Sequence, residues 1–138
     1  MKILIVTDAY YPQVNGVVRT LHETGEILKS QGQTIEYITP QQFLTMPMPK
    51  YNEIRLSLNV WPRVSNLIKS IKPDAIHIAT EGPLGFMARR HCIKNGLKFT
   101  TSFHTRFDKY MKLYMPIIPA KWSEKFLCNF HNKAERIL

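Results

Sequence analysis

Cysteine is scarce in this chain. The two present, Cys92 and Cys128, lie far apart without Cys-x-x-Cys spacing. That argues against a disulfide scaffold and a thiolate zinc site, and it fits a reducing, cytoplasmic setting. Long apolar runs are missing too: none approaches the roughly 18 residues a membrane-spanning helix requires. The opening run Ile3-Leu4-Ile5-Val6, bounded by Lys2 and by Thr7-Asp8, is too short for the core of a signal peptide and reads as a buried strand. Glycine is limited to six residues. Only Gly16 stands by the first turn, so neither the three-glycine dinucleotide fingerprint nor a Walker loop is present. No histidine pair at metal-binding spacing and no Gly-x-Ser-x-Gly nucleophile motif occurs. Acidic residues are the minority: 10 Asp and Glu against 19 Lys and Arg give a net charge of +9.

A basic domain of 138 residues, 44% hydrophobic, can bury one real core and attract an anionic partner. Nucleic acid, a phosphorylated metabolite and an anionic membrane surface all satisfy the charge, and so does solubility alone. Nucleic acid fits least, since no binding module is recognisable and the basic residues are spread among helices.

Strand-like and helix-like segments alternate along the chain. Residues 2–7 form an apolar run without alternation, as in a strand covered on both faces. Residues 16–31 read as a helix with Val17, Val18, Leu21, Ile27 and Leu28 near one face, stopped by Gly32. A strand over 34–39 leads into a proline-punctuated loop over 40–52, then a short edge strand over 53–58. A helix over 59–71 with Pro62 in its first turn, a strand over 75–79, a helix over 84–95 and a strand over 97–103 follow. Two helical stretches, 106–115 and 119–137, end the chain. The order β-α-β-(β)-α-β-α-β-α-α predicts an α/β, Rossmann-like three-layer sandwich with a mainly parallel sheet.

Ligands of such sheets bind at the carboxyl ends of the strands. Three loops occupy that edge: residues 8–16, 80–85 and 102–106. In the first, Asn15-Gly16 stands directly before a helix, whose free N–H groups and dipole suit an anion, with no Cβ on Gly16 to block a phosphate. A plain turn and cap would look the same. In the second, Glu81 can accept from sugar hydroxyls or cap the next helix. In the third, His104 can hydrogen-bond a ligand or move a proton near neutral pH, or be satisfied by neighbouring backbone. His22, His77, His91 and His131 are weaker candidates, and His77, inside a strand, reads as a core residue. Cys92 and Cys128 read as core thiols. Basic and aromatic residues interleave over 106–133, which suits either an anionic bilayer or an ordinary amphipathic helix pair.

Three segments together resemble family 4 glycosyltransferases. They are Ile3-Leu4-Ile5-Val6-Thr7-Asp8-Ala9-Tyr10-Tyr11-Pro12-Gln13-Val14-Asn15-Gly16-Val17-Val18-Arg19-Thr20-Leu21, then Ile76-His77-Ile78-Ala79-Thr80-Glu81-Gly82-Pro83-Leu84-Gly85, then Thr101-Ser102-Phe103-His104-Thr105-Arg106-Phe107. Residues 130–138 resemble the helix before the last strand of that family's N-terminal domain, so the resemblance spans the chain. Within the family it is strongest to mannosyl- and sulfoquinovosyl-type, lipid-glycosylating bacterial members.

The resemblance implies the N-terminal, acceptor-side half of a GT-B fold, in which two Rossmann-like domains face across a cleft. It implies transfer of a sugar, with retention, from a nucleotide-sugar donor to a lipid or saccharide acceptor. Gly16 would lie against the donor diphosphate and His104 beside the transferred sugar as the catalytic residue. Asn15, Glu81, Thr105 and Arg106 would line the substrate. No metal or cofactor is implied. The family's paired glutamates and diphosphate-clamping basic residues belong to a C-terminal domain absent from these 138 residues. The chain alone is therefore expected to be inactive. The competing expectation is a binding module for a phosphorylated sugar or an anionic lipid head group.

Overall fold

A computed structural model describes residues 1–8, 16–48, 51–80, 82–102, 132, 134, 136 and 137; for residues 46–48, 51–56, 136 and 137 it describes the backbone alone. In chain order the elements are β1 (Lys2–Val6), α1 (Gly16–Ser30), β2 (Thr34–Ile38), a 3-10 turn (Pro40–Gln42), β3 (Thr45–Met48) and β4 (Tyr51–Ser57). Then come α2 (Arg63–Ile71), β5 (Ala75–Ile78), α3 (Pro83–Lys94), β6 (Thr100–Thr101) and β7 (Arg136–Ile137).

One sheet has the order β2-β1-β5-β6-β7, and every pairing in it is parallel. The strand β1 lies inside the sheet, between β2 and β5, because its side chains can be buried on both faces: Leu4 and Val6 are fully buried on one side, and Ile5 is buried on the other. Leu4 and Val6 join Val64 and Ile68 of α2, Ile76 and Ile78 of β5, and Leu84, Ala88 and Cys92 of α3. Ile5 packs with Leu21 of α1, Ile35 and Ala79. Helices therefore cover both faces, and the α/β, Rossmann-like class is the observed one. Each buried Leu, Ile or Val contributes about 1.5–3 kcal/mol relative to exposure.

Helix α1 buries the stripe Val18, Leu21 and Gly25. Ile27, expected on that face, is 58% exposed. At about 100° per residue, it falls outside the arc through Val18, Leu21, Gly25 and Leu28. The helix stops at Gly32, whose φ of 89° is the left-handed conformation glycine adopts without steric cost.

Four further expectations need correcting. The loop over 40–52 contains a 3-10 turn and β3, which pairs antiparallel with β4 as a separate two-stranded sheet; β4 is not an edge of the main sheet. Pro47 is tolerated in β3 because one of its sides carries no ladder, and the register shifts between Pro47 and Met48. Helix α2 begins at Arg63 instead of 59, since the residue before a proline is disfavoured in helical conformation and Trp61 precedes Pro62. Strand β6 begins at Thr100 instead of 97, where the Leu97 N–H still bonds Cys92 O in the closing turn of α3. Arg136–Ile137, expected at the end of a helix, is a strand whose pairing covers the edge of β6. The expectations over residues 103–131 lie outside the described residues.

Candidate functional site at the carboxyl edge of the sheet

The chain leaves β1 for β2 on one side, then returns to β5 on the other. The direction of winding thus reverses between β1 and β5, where open α/β sheets leave a crevice at the strands' carboxyl ends. Val6 is in register with Ile78, and Ile78 with Thr101. The ladder runs on past the strands through Ala79 N to Val6 O (2.8 Å) and Ser102 N to Ile78 O (3.4 Å). The three loops singled out in the sequence therefore leave one edge side by side. Asn15, Glu81, His104, Thr105 and Arg106 lie outside the described residues. Gly16 is described, and it opens α1 from this edge.

The roots of the first two loops are tied together by Asp8. Its backbone N–H donates to Thr80 Oγ1 at 2.7 Å, and the Thr80 hydroxyl donates back to the Asp8 carboxylate at 2.7 Å. The same carboxylate accepts from the N–H groups of Leu84 (2.8 Å) and Gly85 (3.3 Å), in the first turn of α3. Those amides have no partner inside the helix, and their positive dipole end favours an anion. Desolvation raises the proton affinity of the Asp8 carboxyl above the ordinary value; the Thr80 hydroxyl and the Leu84, Gly85 and Gly82 amides oppose it.

Two glycines are explained by this knot. A Cβ on Gly82 would collide with the Asp8 carboxylate, and one on Gly85 with the backbone carbonyl of Thr80. Asp8 was not among the sequence candidates, although a signal existed. Helix α3 begins Gly82-Pro83, with no Ser, Thr, Asp or Asn at its start, so its first amides require an acceptor from elsewhere. Among the described residues that acceptor is Asp8.

Gly16 differs. Among the described residues nothing lies within 4 Å of where its Cβ would be, and the first turn of α1 carries no acid. The third loop is rooted by His77. Its Nδ1 lies 2.7 Å from Thr100 Oγ1 and its Nε2 3.1 Å from Ser102 Oγ, while Ser102 Oγ donates to Ala79 O at 3.4 Å. The strand histidine thus links β5 to β6 just before residues 103–106.

At the opposite edge, a recess of about 400 Å³ is lined by Lys69, Lys72, Lys98, Asp74 and His91 over Ile68 and Ile76. Lys69 and Lys72 end α2, where cations offset the helix dipole. His91 is buried, and desolvation together with Lys69 and Lys94 lowers its pKa from 6.5. Cys92 is fully buried and free, and desolvation pushes its thiol up to about 11. Among the described residues no group of three His, Cys, Asp or Glu is placed to hold a metal ion, and no helix is long and apolar enough to cross a membrane.

The sequence model of Glycosyltransferase Family 4 matches residues 14–138. A GDP-mannose-dependent alpha-mannosyltransferase of Mycolicibacterium smegmatis is 20% identical over 156 residues, covering 100% of this chain and 41% of that protein. Sulfoquinovosyl transferase SQD2 of Arabidopsis thaliana is 25% identical over 124 residues, covering 80% of this chain and 24% of that protein. An alpha-monoglucosyldiacylglycerol synthase of Streptococcus pneumoniae is 22% identical over 124 residues, covering 80% of this chain and 28% of that protein. The chain thus spans less than half the length of these curated relatives. No solved structure matches.

Proposed function

Because this chain belongs to glycosyltransferase family 4, we propose that it is the acceptor-side part of an enzyme that moves a sugar from a nucleotide-sugar to a lipid or saccharide acceptor. The observation that carries this reading is the family match over 14–138, which includes all three carboxyl-edge loops except the first residues of the first. The names of the relatives support it: one is dependent on GDP-mannose, and another makes a glucosyldiacylglycerol.

In this reading the donor diphosphate meets the N-terminus of α1 at Gly16, where backbone N–H groups and an absent Cβ admit it. His104 acts beside the transferred sugar. Asn15, Glu81, Thr105 and Arg106 line the donor and acceptor. Transfer proceeds with retention, and the groups that stabilise the departing diphosphate come from a second domain. Residues 1–138 alone are therefore inactive. The net charge of +9 supports work at an anionic membrane surface on the cytoplasmic side.

The test is an assay of the full-length protein with a panel of nucleotide-sugars and membrane-lipid extract, with products read by mass spectrometry and anomeric configuration by NMR. A glycosylated lipid or saccharide of retained configuration is expected, with none from residues 1–138. Absence of transfer from every donor, with tight binding of a phosphorylated sugar, would replace this reading by a binding module. Co-sedimentation indifferent to anionic lipid content would remove the membrane.

A further inference from the structure

The recess at the amino edge of the sheet lies away from the three loops, and the proposed transfer does not use it. It forms where the carboxyl ends of α2 and α3 meet over Ile68 and Ile76. Three ammonium groups line it, those of Lys69, Lys72 and Lys98, against one carboxylate, Asp74. Asp74 is already engaged: its carboxylate accepts from the Lys2 N–H at 2.7 Å, and its own N–H donates to Lys2 O at 2.8 Å. The ammonium groups of Lys69 and Lys72 make no hydrogen bond or ion pair among the described residues.

Lysines at a helix end can serve simply to offset its dipole. Three observations go beyond that role. The carbonyls that end the two helices already have donors: Lys72 N–H on Ile68 O, Lys2 Nζ on Ile71 O, Asn95 N–H and Nδ2 on His91 O, and Leu97 N–H on Cys92 O. Lys72 holds a φ of 53°, a left-handed conformation that glycine adopts at less cost where a helix closes. The third observation is His91, which lines the recess yet is only 6% exposed. Asn95 Nδ2 donates to its Nδ1 at 3.4 Å, which places the proton of the neutral ring on Nε2. That N–H has no acceptor among the described residues, an unfavourable state for a buried donor. Desolvation, then the charges of Lys69 and Lys94, lower the pKa of His91; the same positive field favours an anionic acceptor.

We propose that this recess is a second ligand site that binds a phosphate monoester group, with the His91 Nε2–H donating to the phosphate and Lys69 and Lys72 balancing its charge. At about 400 Å³ it is within the size range of small-molecule sites, with room for the phosphate and a small carrier. The site stands on its own geometry and does not depend on the transferase reading.

The test follows the His91 ring by NMR in full-length protein labelled with 13C and 15N in histidine, with His91→Gln identifying its signal. Inorganic phosphate is titrated at about pH 7.5, where it is largely dianionic. Potassium chloride at matched ionic strength controls for screening. The ring signals should move saturably with phosphate and stay still with chloride. The double variant Lys69→Ala/Lys72→Ala, at two exposed positions, should weaken that binding about tenfold or more. A second arm uses phosphatidylcholine vesicles with and without phosphatidic acid, which carries the same monoester on a lipid. Movement with inorganic phosphate assigns a soluble ester as the source, and movement with phosphatidic acid alone assigns a lipid head group; either supports the site. A His91 ring that ignores both probes overturns it, and so does a saturable response that the double variant leaves unchanged. No transfer is measured, so failure of the transferase reading leaves this result standing.

Discussion

Asp8 and Thr80, 72 positions apart, exchange two hydrogen bonds of 2.7 Å, backbone N–H to hydroxyl and hydroxyl to carboxylate. This pair joins the ends of two neighbouring parallel strands and fixes where two loops leave the sheet. It also presents the carboxylate to the first turn of α3.

Thr80→Val keeps the shape and β-branching of the side chain and removes both hydrogen bonds, leaving the Asp8 N–H without its acceptor. A loss of about 1–3 kcal/mol in urea unfolding is expected, with Thr80→Ser within about 1 kcal/mol of wild type. Equal stabilities for the two variants would show that the hydroxyl contributes nothing.

Three glycines should rank by what a new methyl group meets. Gly85→Ala places it against a backbone carbonyl, Gly25→Ala against the movable end of the Tyr37 side chain, and Gly16→Ala in open space. Gly85→Ala should cost the most, about 2 kcal/mol or more, and Gly25→Ala less, while Gly16→Ala stays within about 1 kcal/mol of wild type. Thermal melts of the three variants check the order; any outcome in which Gly16→Ala is the worst contradicts it.

Cys92 is fully buried, and its thiol is pushed up to about 11. At pH 8 almost no thiolate is present, so iodoacetamide should leave it unmodified in the folded protein and alkylate it readily in urea. Peptide mass spectrometry reads this site separately from Cys128. Rapid alkylation under native conditions would mean that the α3 core opens.

The pKa of His91 is lowered from 6.5, first by desolvation and then by Lys69 of α2 and Lys94 of its own helix. The native state therefore holds fewer protons on this group than the unfolded chain. The stabilisation is complete above about pH 6.5 and declines as pH falls from there through the folded-state value. His91→Gln should remove that part of the slope. Unfolding free energies measured between pH 5 and 8 should converge at the acid end relative to wild type. Parallel profiles for the two proteins would contradict the assignment.

Much of the fold was legible because burial on both faces leaves an unmistakable pattern. Ile3-Leu4-Ile5-Val6 read as a covered strand and residues 75–79 as a strand, and both occur where expected. The stop at Gly32 also held, since positive φ at that glycine is a local requirement. Of the β3–β4 hairpin, β4 was legible as a strand over 53–58, but β3 was not, because its proline argues against a strand locally and only cross-strand pairing stabilises it. The extended state of Arg136–Ile137 is supported by pairing with β6.

At the site, sequence order alone placed three loops on one edge, because parallel strands joined by helices all point the same way. It read Gly16 as the start of a helix, and α1 begins there. It could not identify Asp8, since capping of α3 by a residue more than seventy positions earlier follows from which strands become neighbours. Local chemistry determined which residues form strands, where helices stop and which family the chain belongs to. Tertiary structure alone decided that β1 lies beside β5, and hence that the N-terminus of α3 is closed by an internal carboxylate. Propensities and turn residues act over a few positions, whereas hydrogen bonds between strand ends depend on packing the whole sheet.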